Sequence, residues 1–244
     1  FQGNTHDDLV EQLGQLHQQG MRSLVLDLRD DPGGLLDQAV RIADTFLAEG
    51  VIVTTASNDP SGREVRRATP ENTEPDYPMA VLVNSGSASA SEIVAGALKY
   101  NNRAIIVGER TFGKGSVQVI YDFDDGSALK LTIAHYLTPG DISIQSVGIV
   151  PDIEVLSLLV RQSRVNLIPD ESSIRESSLE AHLTGQGESP HERPAQQIRH
   201  YRIPEPRANP EPEPEPEPNN GESDDEGDGD EEEPLRFQRN LCHL

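Results

Sequence analysis

The first part of the chain alternates between helical and strand-like spacings of apolar residues. Leucines in residues 5–19 recur at intervals of four and three, which predicts one apolar helix face that ends at Gly20. The run 22–29 is a short apolar segment of strand type, and residues 35–48 repeat the helical spacing. The sequence Asp-Asp-Pro-Gly-Gly at 30–34 is a loop signal between them. The pattern therefore predicts helix, strand, loop and helix in succession.

The same alternation continues to about residue 134. It predicts a helix at 89–100 and strands at 51–55, 80–83, 103–107, 117–123 and 128–134. The last two strands form a hairpin, and the polar stretch 56–77 is predicted to be an exposed excursion. Strands alternating with helices indicate an α/β fold with a substantially parallel sheet flanked by helices. In such sheets the functional loops follow the C-terminal ends of strands, where 30–34 and 84–89 both lie.

Composition divides the chain further along. We predict a core at 1–155, a weakly patterned extension at 156–202 that holds a strand and a short helix, and an acidic tail at 203–244. Much of the net charge of −22 lies in that tail. Its Pro-Glu repeat and like charges predict a disordered spacer. The remainder is only moderately acidic and has no basic cluster, which excludes nucleic acid as a partner.

Other features exclude whole classes of site. The single cysteine, Cys242, excludes an internal disulfide framework and a cysteine-based zinc site. The histidines lack metal-ligand spacing, and His135 is interpreted as a structural strand residue rather than a triad base. No apolar run approaches the roughly 18 residues of a membrane span, and no signal peptide is present. Because the chain opens at Phe1 without an initiator Met, we expect it to be an excised piece.

Residues 84–92 carry the first candidate for chemistry. A strand ends, small residues make a tight turn, and a helix begins at Ser89. A serine at the start of a helix faces unpaired backbone N–H groups and the positive end of the helix dipole. This position suits a nucleophile, because the Ala90 amide could hold a developing oxyanion. The structural alternative is a capping box between Ser89 and Glu92, which needs no catalysis.

The second candidate is Lys114, a lysine between two glycines at the entry to a strand. Residues 108–114 resemble the start of a phosphate-binding loop, but Gly115 stands where that loop requires Ser or Thr, and a strand follows instead of a helix. An enclosed lysine loses solvation, which favours the neutral amine that could accept a serine proton. Strand alternation places Gln118 on the same face, where it could orient the amine. The alternative is an exposed hairpin lysine.

The third candidate is the turn after the first strand. Backbone N–H groups of Gly33 or Gly34 could complete an oxyanion hole with the Ala90 amide. The alternative is an ordinary turn between a strand and a helix. Asp27 and Arg29 are interpreted as a structural ion pair.

Together and in this order, these segments resemble those of the C-terminal processing peptidases, or tail-specific proteases, of the S41 type. The matching motifs are D-L-R-x-x-x-G-G at 27–34, S-A-S-A-S-E at 87–92 and T-F-G-K-G-x-x-Q at 111–118. Residues 137–152 are similar to the end of the family's core, so the resemblance covers roughly residues 1–155. The chain departs from the family at 30–31, where Asp-Asp replaces the frequent Asn-Asn or Asn-x, and at 140–142, where Gly-Asp-Ile replaces the frequent Ser-Gly-Arg.

The resemblance implies a crotonase- or ClpP-like core and a serine endopeptidase that cleaves proteins near their C-termini without a cofactor. It implies a Ser–Lys dyad and assigns roles residue by residue: Ser89 as nucleophile, Lys114 as base, Gln118 in support, and the backbone amides of Ala90 and of Gly33 or Gly34 as the oxyanion hole. It also implies a periplasmic or equivalent compartment and a PDZ domain, which we expect in the missing N-terminal part. The sequence does not decide the oligomeric state, and both a monomer and an oligomer remain open.

Two other functions remain compatible with these residues. The first is a non-catalytic peptide-binding or scaffold module on the same fold, in which Lys114 stays protonated. The second is an acyl-CoA enzyme of the crotonase type, which fits the fold but leaves the Ser89 and Lys114 motifs without a purpose.

Overall fold

The computed structural model describes residues 1–57, 59, 62–160, 167–169, 174–179, 183 and 193–202. Its helices are α1 (Thr5–Gln18), α2 (Leu36–Phe46) and α3 (Ala90–Tyr100), with a 3-10 helix at Glu176–Ser178. Its strands are β1 (Leu24–Asp27), β2 (Val51–Ser57), β3 (Arg63–Arg67), β4 (Met79–Val83), β5 (Ile105–Gly108), β6 (Ser116–Asp122), β7 (Ala128–Thr138), β8 (Ile142–Ser143), β9 (Ile153–Val160), β10 (Leu167–Pro169) and β11 (Gln196–Arg202). The three α-helices therefore begin and end close to their predicted bounds.

One sheet is mostly parallel and presents two of the candidate loops. Its strands lie in the order β1-β4-β5-β9, all parallel, and β9 also pairs with β11 in parallel and with β10 antiparallel. β1 and β4 are neighbours that end at Asp27 and Val83, directly before the two loops. The loops therefore leave the same edge of the sheet, as the sequence predicts. The predicted α/β class is confirmed.

The second sheet is antiparallel and differs from the prediction. Its order is β3-β2-β7-β6, with β8 on β7, and β6 and β7 form the predicted hairpin. The stretch 56–77, predicted to be an excursion, contains β3, so that prediction is wrong for Arg63–Arg67. Every residue of β3 is exposed, so no apolar alternation marks it. Backbone pairing with β2 accounts for the strand.

The helices differ in how much of their surface is buried. α2 buries the predicted apolar stripe, including Ala39 and Phe46. In α1 only Leu13 is buried, and Leu16 is 38% exposed, so the leucine face is covered only in part. α3 is buried over most of its length, and its buried residues include Glu92. A carboxylate inside an apolar helix is unusual and points to a specific role, because charged side chains are almost never fully buried without partners.

The described part of the extension belongs to the same compact unit as the core, which runs from Phe1 to Pro204. β9 crosses the predicted boundary at residue 155, and β11 pairs along it. The acidic tail at 203–244 lies outside the described residues. Within the described ranges, no helix combines the length and the apolar character that crossing a membrane requires.

Candidate active site

The loop after β1 and the turn after β4 lie against each other. The Asp30 N–H donates to Asn84 Oδ1 at 2.9 Å, and Asn84 Nδ2 donates to Asp30 Oδ1 at 2.8 Å. The backbone carbonyl of Asp31 accepts hydrogen bonds from the Ala88 N–H and from Ser91 Oγ, both at 3.0 Å. The backbone of Asp30 and Asp31 and the carboxylate of Asp30 therefore hold the two loops together.

Ser89 stands at a sharp turn between strand and helix. It precedes the first residue of α3 and has φ 55° and ψ −112°, a conformation that non-glycine residues rarely adopt. The same strained strand-to-helix turn exposes the nucleophilic serine of other hydrolase folds. The side chain of Ser89 is half-buried. The backbone at Ser89 is therefore strained, and the surrounding structure holds it in this conformation.

Gly33 lies directly against this turn. With φ 95°, it is in a left-handed conformation that favours glycine. A Cβ on Gly33 would lie 2.6 Å from the Ala88 carbonyl oxygen, 2.7 Å from the Ala90 nitrogen and 3.0 Å from the Ser89 Cβ. Only glycine allows this approach.

The three backbone amides predicted for the oxyanion hole differ in availability. The Gly33 N–H already donates to Asp31 Oδ1 at 2.9 Å. Within the part of the chain that the structure describes, the N–H groups of Gly34 and Ala90 donate to no protein acceptor. Gly34 and Ala90 are therefore the amides that remain available to a ligand.

The Glu92 carboxylate joins the turn at 84–89, which carries Ser89, to the loop at 111–115, which carries Lys114 and is called the lysine loop below. Its Oε2 accepts the backbone N–H groups of Ser89 at 2.9 Å and of Lys114 at 2.8 Å. Its Oε1 accepts Thr111 Oγ1 at 2.5 Å and the Gly113 N–H at 2.7 Å. The backbone nitrogens of Ser89 and Lys114 are therefore separated by no more than the sum of 2.9 Å and 2.8 Å. The structure brings the two sequence motifs to one place.

Burial raises the pKa of Glu92 to about 7, although hydrogen bonds from Thr111, Ser89, Gly113 and Lys114 act to lower it. The sequence pattern presents Glu92 only as half of a capping box, and its contact with the Ser89 amide fits that interpretation. Its contacts with the lysine loop were missed. The available signal was a charged residue inside an otherwise apolar helix.

The glycines around Lys114 allow close packing, as the sequence predicts. A Cβ on Gly115 would lie 2.9 Å from the Gln145 nitrogen, and one on Gly113 would lie 3.1 Å from the Gly148 nitrogen. The Phe112 N–H also donates to the Ser87 carbonyl at 3.0 Å. Lys114 is half-buried between these backbone contacts.

Gln118 lies farther out on the hairpin. It is exposed, and its Nε2 donates to Thr132 Oγ1 at 3.4 Å. The register between β6 and β7 shifts between Val117 and Gln118, where β7 has one extra residue, Ile133. The supporting role of Gln118 stays a prediction.

Asp27, Arg29 and His135, which the sequence assigns structural roles, lie on or beside the strands. Arg29 and Asp27 form the expected ion pair at 2.7 Å, with both side chains about half exposed. His135 is buried opposite Ser116 in the β6–β7 ladder, and its Nδ1 has no hydrogen-bond partner among the described residues. Burial lowers the pKa of His135, which favours the neutral ring.

The part of the chain that contains these loops matches a known protein family. Residues 1–155, more than half of the chain, match the family described as Peptidase family S41. The chain belongs to peptidase family S41. The matched residues contain all three motifs of the site.

Relatives within family S41 are longer than this chain. It is 44% identical over 169 residues to the carboxy-terminal-processing protease of Bartonella bacilliformis, a match that covers 69% of this chain and 38% of that protein. It is 43% identical over 152 residues to the carboxyl-terminal-processing protease of Synechocystis, covering 62% and 35%. The chain thus spans little more than a third of the length of these relatives.

Solved structures give the same family and fold. The photosystem II D1 C-terminal processing protease superposes with a TM-score of 0.59 at 40% identity, covering 63% of this chain and 40% of that one. Mature CPAF superposes with a TM-score of 0.52 at 15% identity, which shows a shared fold alone.

Proposed function

We propose that this chain carries the catalytic part of a serine endopeptidase, with Ser89 as the nucleophile and Lys114 as the general base. The observation that carries the proposal is the Glu92 oxygen that accepts the backbone amides of both residues. Membership of a peptidase family makes acyl transfer the reaction that fits these side chains.

In the proposed reaction, the neutral amine of Lys114 removes the proton from Ser89 Oγ as this oxygen attacks the substrate's peptide carbonyl carbon. The Ala90 and Gly34 amides hold the resulting oxyanion, and one such donor is typically worth about 3 kcal/mol of barrier. Lys114 then donates the proton to the leaving amine. A water molecule, deprotonated by Lys114, attacks the acyl group and frees Ser89.

The second oxyanion donor is assigned to Gly34 because the Gly33 amide is occupied by Asp31. Gly33 then has the separate task of letting the turn approach Ser89. The proposed supporting role of Gln118 requires its amide to leave Thr132 and turn toward the amine of Lys114.

The substrate class follows from the relatives rather than from the site. The names of the relatives describe processing at carboxyl termini. The proposal for this chain is cleavage of protein substrates near their C-termini, with a PDZ domain in the longer protein and a periplasmic or equivalent compartment. Comparing the cleavage rates of one peptide with a free and with an amidated C-terminus tests whether the substrate's terminal carboxylate is recognised.

The close approach of Gly33 gives a prediction with a matched control. Gly33→Ala should lower kcat/KM for peptide cleavage by roughly 100-fold, because the turn must move away from Ser89 and Ala90. Gly20→Ala introduces a Cβ at a similar φ of 83° with nothing within 4 Å. It should cost about 1–2 kcal/mol of stability and leave kcat/KM unchanged. Equal losses of activity in the two variants would contradict the assignment.

A fluorophosphonate probe tests whether Ser89 is an activated nucleophile. Its attack on phosphorus expels fluoride and leaves a stable adduct on the serine oxygen. We expect peptide mapping of the labelled native chain to place the adduct on Ser89, with none after heat denaturation. A non-catalytic module would show no such difference. Labelling of a different serine, or equal labelling of the denatured chain, would refute the proposal.

A further inference from the structure

A segment beyond the family match lies against the lysine loop. The described residues 174–179 and 183, which we name the C-terminal clamp, follow residue 155, where the match to family S41 ends. The Glu176 N–H donates to the Phe112 carbonyl at 3.1 Å, and the Phe112 N–H donates to the Ser87 carbonyl at 3.0 Å. Phe112 is two residues before Lys114. Its backbone is therefore held on one side by the turn that carries Ser87 and Ser89 and on the other by the clamp.

Gln145 connects the clamp to the other side of Lys114. It is 1% exposed, and its Oε1 accepts the Gly115 N–H at 2.8 Å. Its Nε2 donates to Glu176 Oε1 at 3.2 Å and to the Leu183 carbonyl at 3.1 Å. Without the clamp, both protons of a buried amide would lose their acceptors, which is costly inside a protein. The amide that fixes Gly115 therefore depends on the clamp.

The loop that carries Gln145 is attached to the same two partners. Ser146 Oγ donates to the Leu183 carbonyl at 2.6 Å, and the Ser146 N–H donates to the Gly113 carbonyl at 2.8 Å. Hydrogen bonds from this loop and from the clamp thus reach residues 112, 113 and 115, on both sides of Lys114.

We infer that the clamp is part of the catalytic unit and that Glu176 and Gln145 are positioning residues, which hold the lysine loop in place without touching the substrate. This inference rests on the proposed function, because it assigns the clamp a role only if Lys114 is the base. It places the end of the catalytic unit at residue 183 or beyond, rather than near residue 155. A general base must be held within a few tenths of an ångström of its productive position, so a loosened loop lowers the rate.

Three substitutions at one position separate the contacts of the clamp. Glu176→Gln keeps an oxygen that can accept the Gln145 amide, and should retain wild-type kcat. Glu176→Ala removes this acceptor and should lower kcat about 5-fold with KM unchanged. Glu176→Pro also removes the N–H that donates to Phe112, and should lower kcat about 30-fold. Proline is tolerated there because Glu176 is the first residue of the 3-10 helix.

The matched control is an exposed glutamate outside the clamp, Glu71→Ala, which should behave as wild type. Each variant is assayed as the full chain with a peptide substrate, and its thermal midpoint is measured to show that it is folded. A folded Glu176→Pro variant with unchanged kcat would overturn the inference. An increase in kcat would also overturn it, because the segment would then be obstructing the site. Failure of the proposed function is distinguishable, because Ser89→Ala would then cleave as fast as wild type.

Discussion

Replacing Lys114 with methionine is expected to lower kcat/KM for peptide cleavage by at least about 10⁴-fold, and replacing Ser89 with alanine by a similar factor. Methionine keeps much of the length and volume of the lysine stem but cannot accept a proton. Combining both changes should produce little additional loss, because a nucleophile and its base act as one unit. Steady-state kinetics on the four chains measures this non-additivity directly.

Two controls use residues of the same kind outside the site. Lys130→Met removes an exposed amine on β7, and Ser127→Ala removes a hydroxyl at the tip of the hairpin. Both variants should cleave like wild type. Multiplicative losses for the Ser89 and Lys114 changes, or substantial activity in either single variant, would show that the two residues do not form a dyad.

Substituting glutamine for Glu92 should reduce kcat/KM about 100-fold and destabilise the fold by about 3 kcal/mol. Each carboxylate oxygen accepts two donors in the wild-type protein. A glutamine amide presents an acceptor at only one of the two positions, and its NH₂ group faces two N–H or O–H donors at the other. The tie between Ser89 and Lys114, or the tie to Thr111 and Gly113, must therefore open.

The same variant should change how stability depends on pH. Burial raises the pKa of Glu92 to about 7, above its ordinary value of 4.5, so the folded state keeps a proton that the unfolded chain releases. The contribution of Glu92 to stability is therefore fully present below about pH 4.5 and is lost as pH rises toward 7. Glutamine does not titrate. The deficit of Glu92→Gln relative to wild type should thus be roughly 2–3 kcal/mol larger at pH 5 than at pH 8.

Denaturant unfolding of both chains at the two pH values measures this difference. The control is Glu71→Gln, which removes one exposed carboxylate. The difference in stability between this variant and wild type should be the same at both pH values. A deficit that stays the same from pH 5 to pH 8 would mean that the four donors outweigh burial. Glu92 would then be ionised throughout this range.

The parallel sheet and its helices were predictable because their residues carry the pattern locally. Ala39 and Phe46 fall on the buried stripe of α2, and β1 and β4 are short apolar runs that end at loop signals. Pairing partners are not encoded in this way. Val51–Ser57 has the pattern of any buried strand, and only the folded chain shows that it pairs antiparallel with β3 and β7. Arg63–Arg67 has no apolar alternation at all.

The candidate site was predictable to the same extent. The motifs predicted Ser89, Lys114 and the glycine turn, because each motif consists of particular residue types at a particular spacing. A charged residue in a mostly apolar helix marked Glu92 as unusual, but its partners could not be predicted, since they lie 19 to 22 positions away and a capping box already explains a glutamate there. Nor does the sequence reveal the extra residue of β7, Ile133, opposite Val117 and Gln118, because it depends on how β6 and β7 pair.

The backbone conformation at Ser89 lowers the stability of the fold when the residue there is a serine. Its φ of 55° suits glycine, and a serine there costs on the order of 1 kcal/mol in folding free energy. Glycine, the residue that this backbone conformation favours, has no hydroxyl. If Ser89 is the nucleophile, as proposed, the residue that gives the most stable turn and the residue that can form an acyl-enzyme are therefore different, and this chain has the serine.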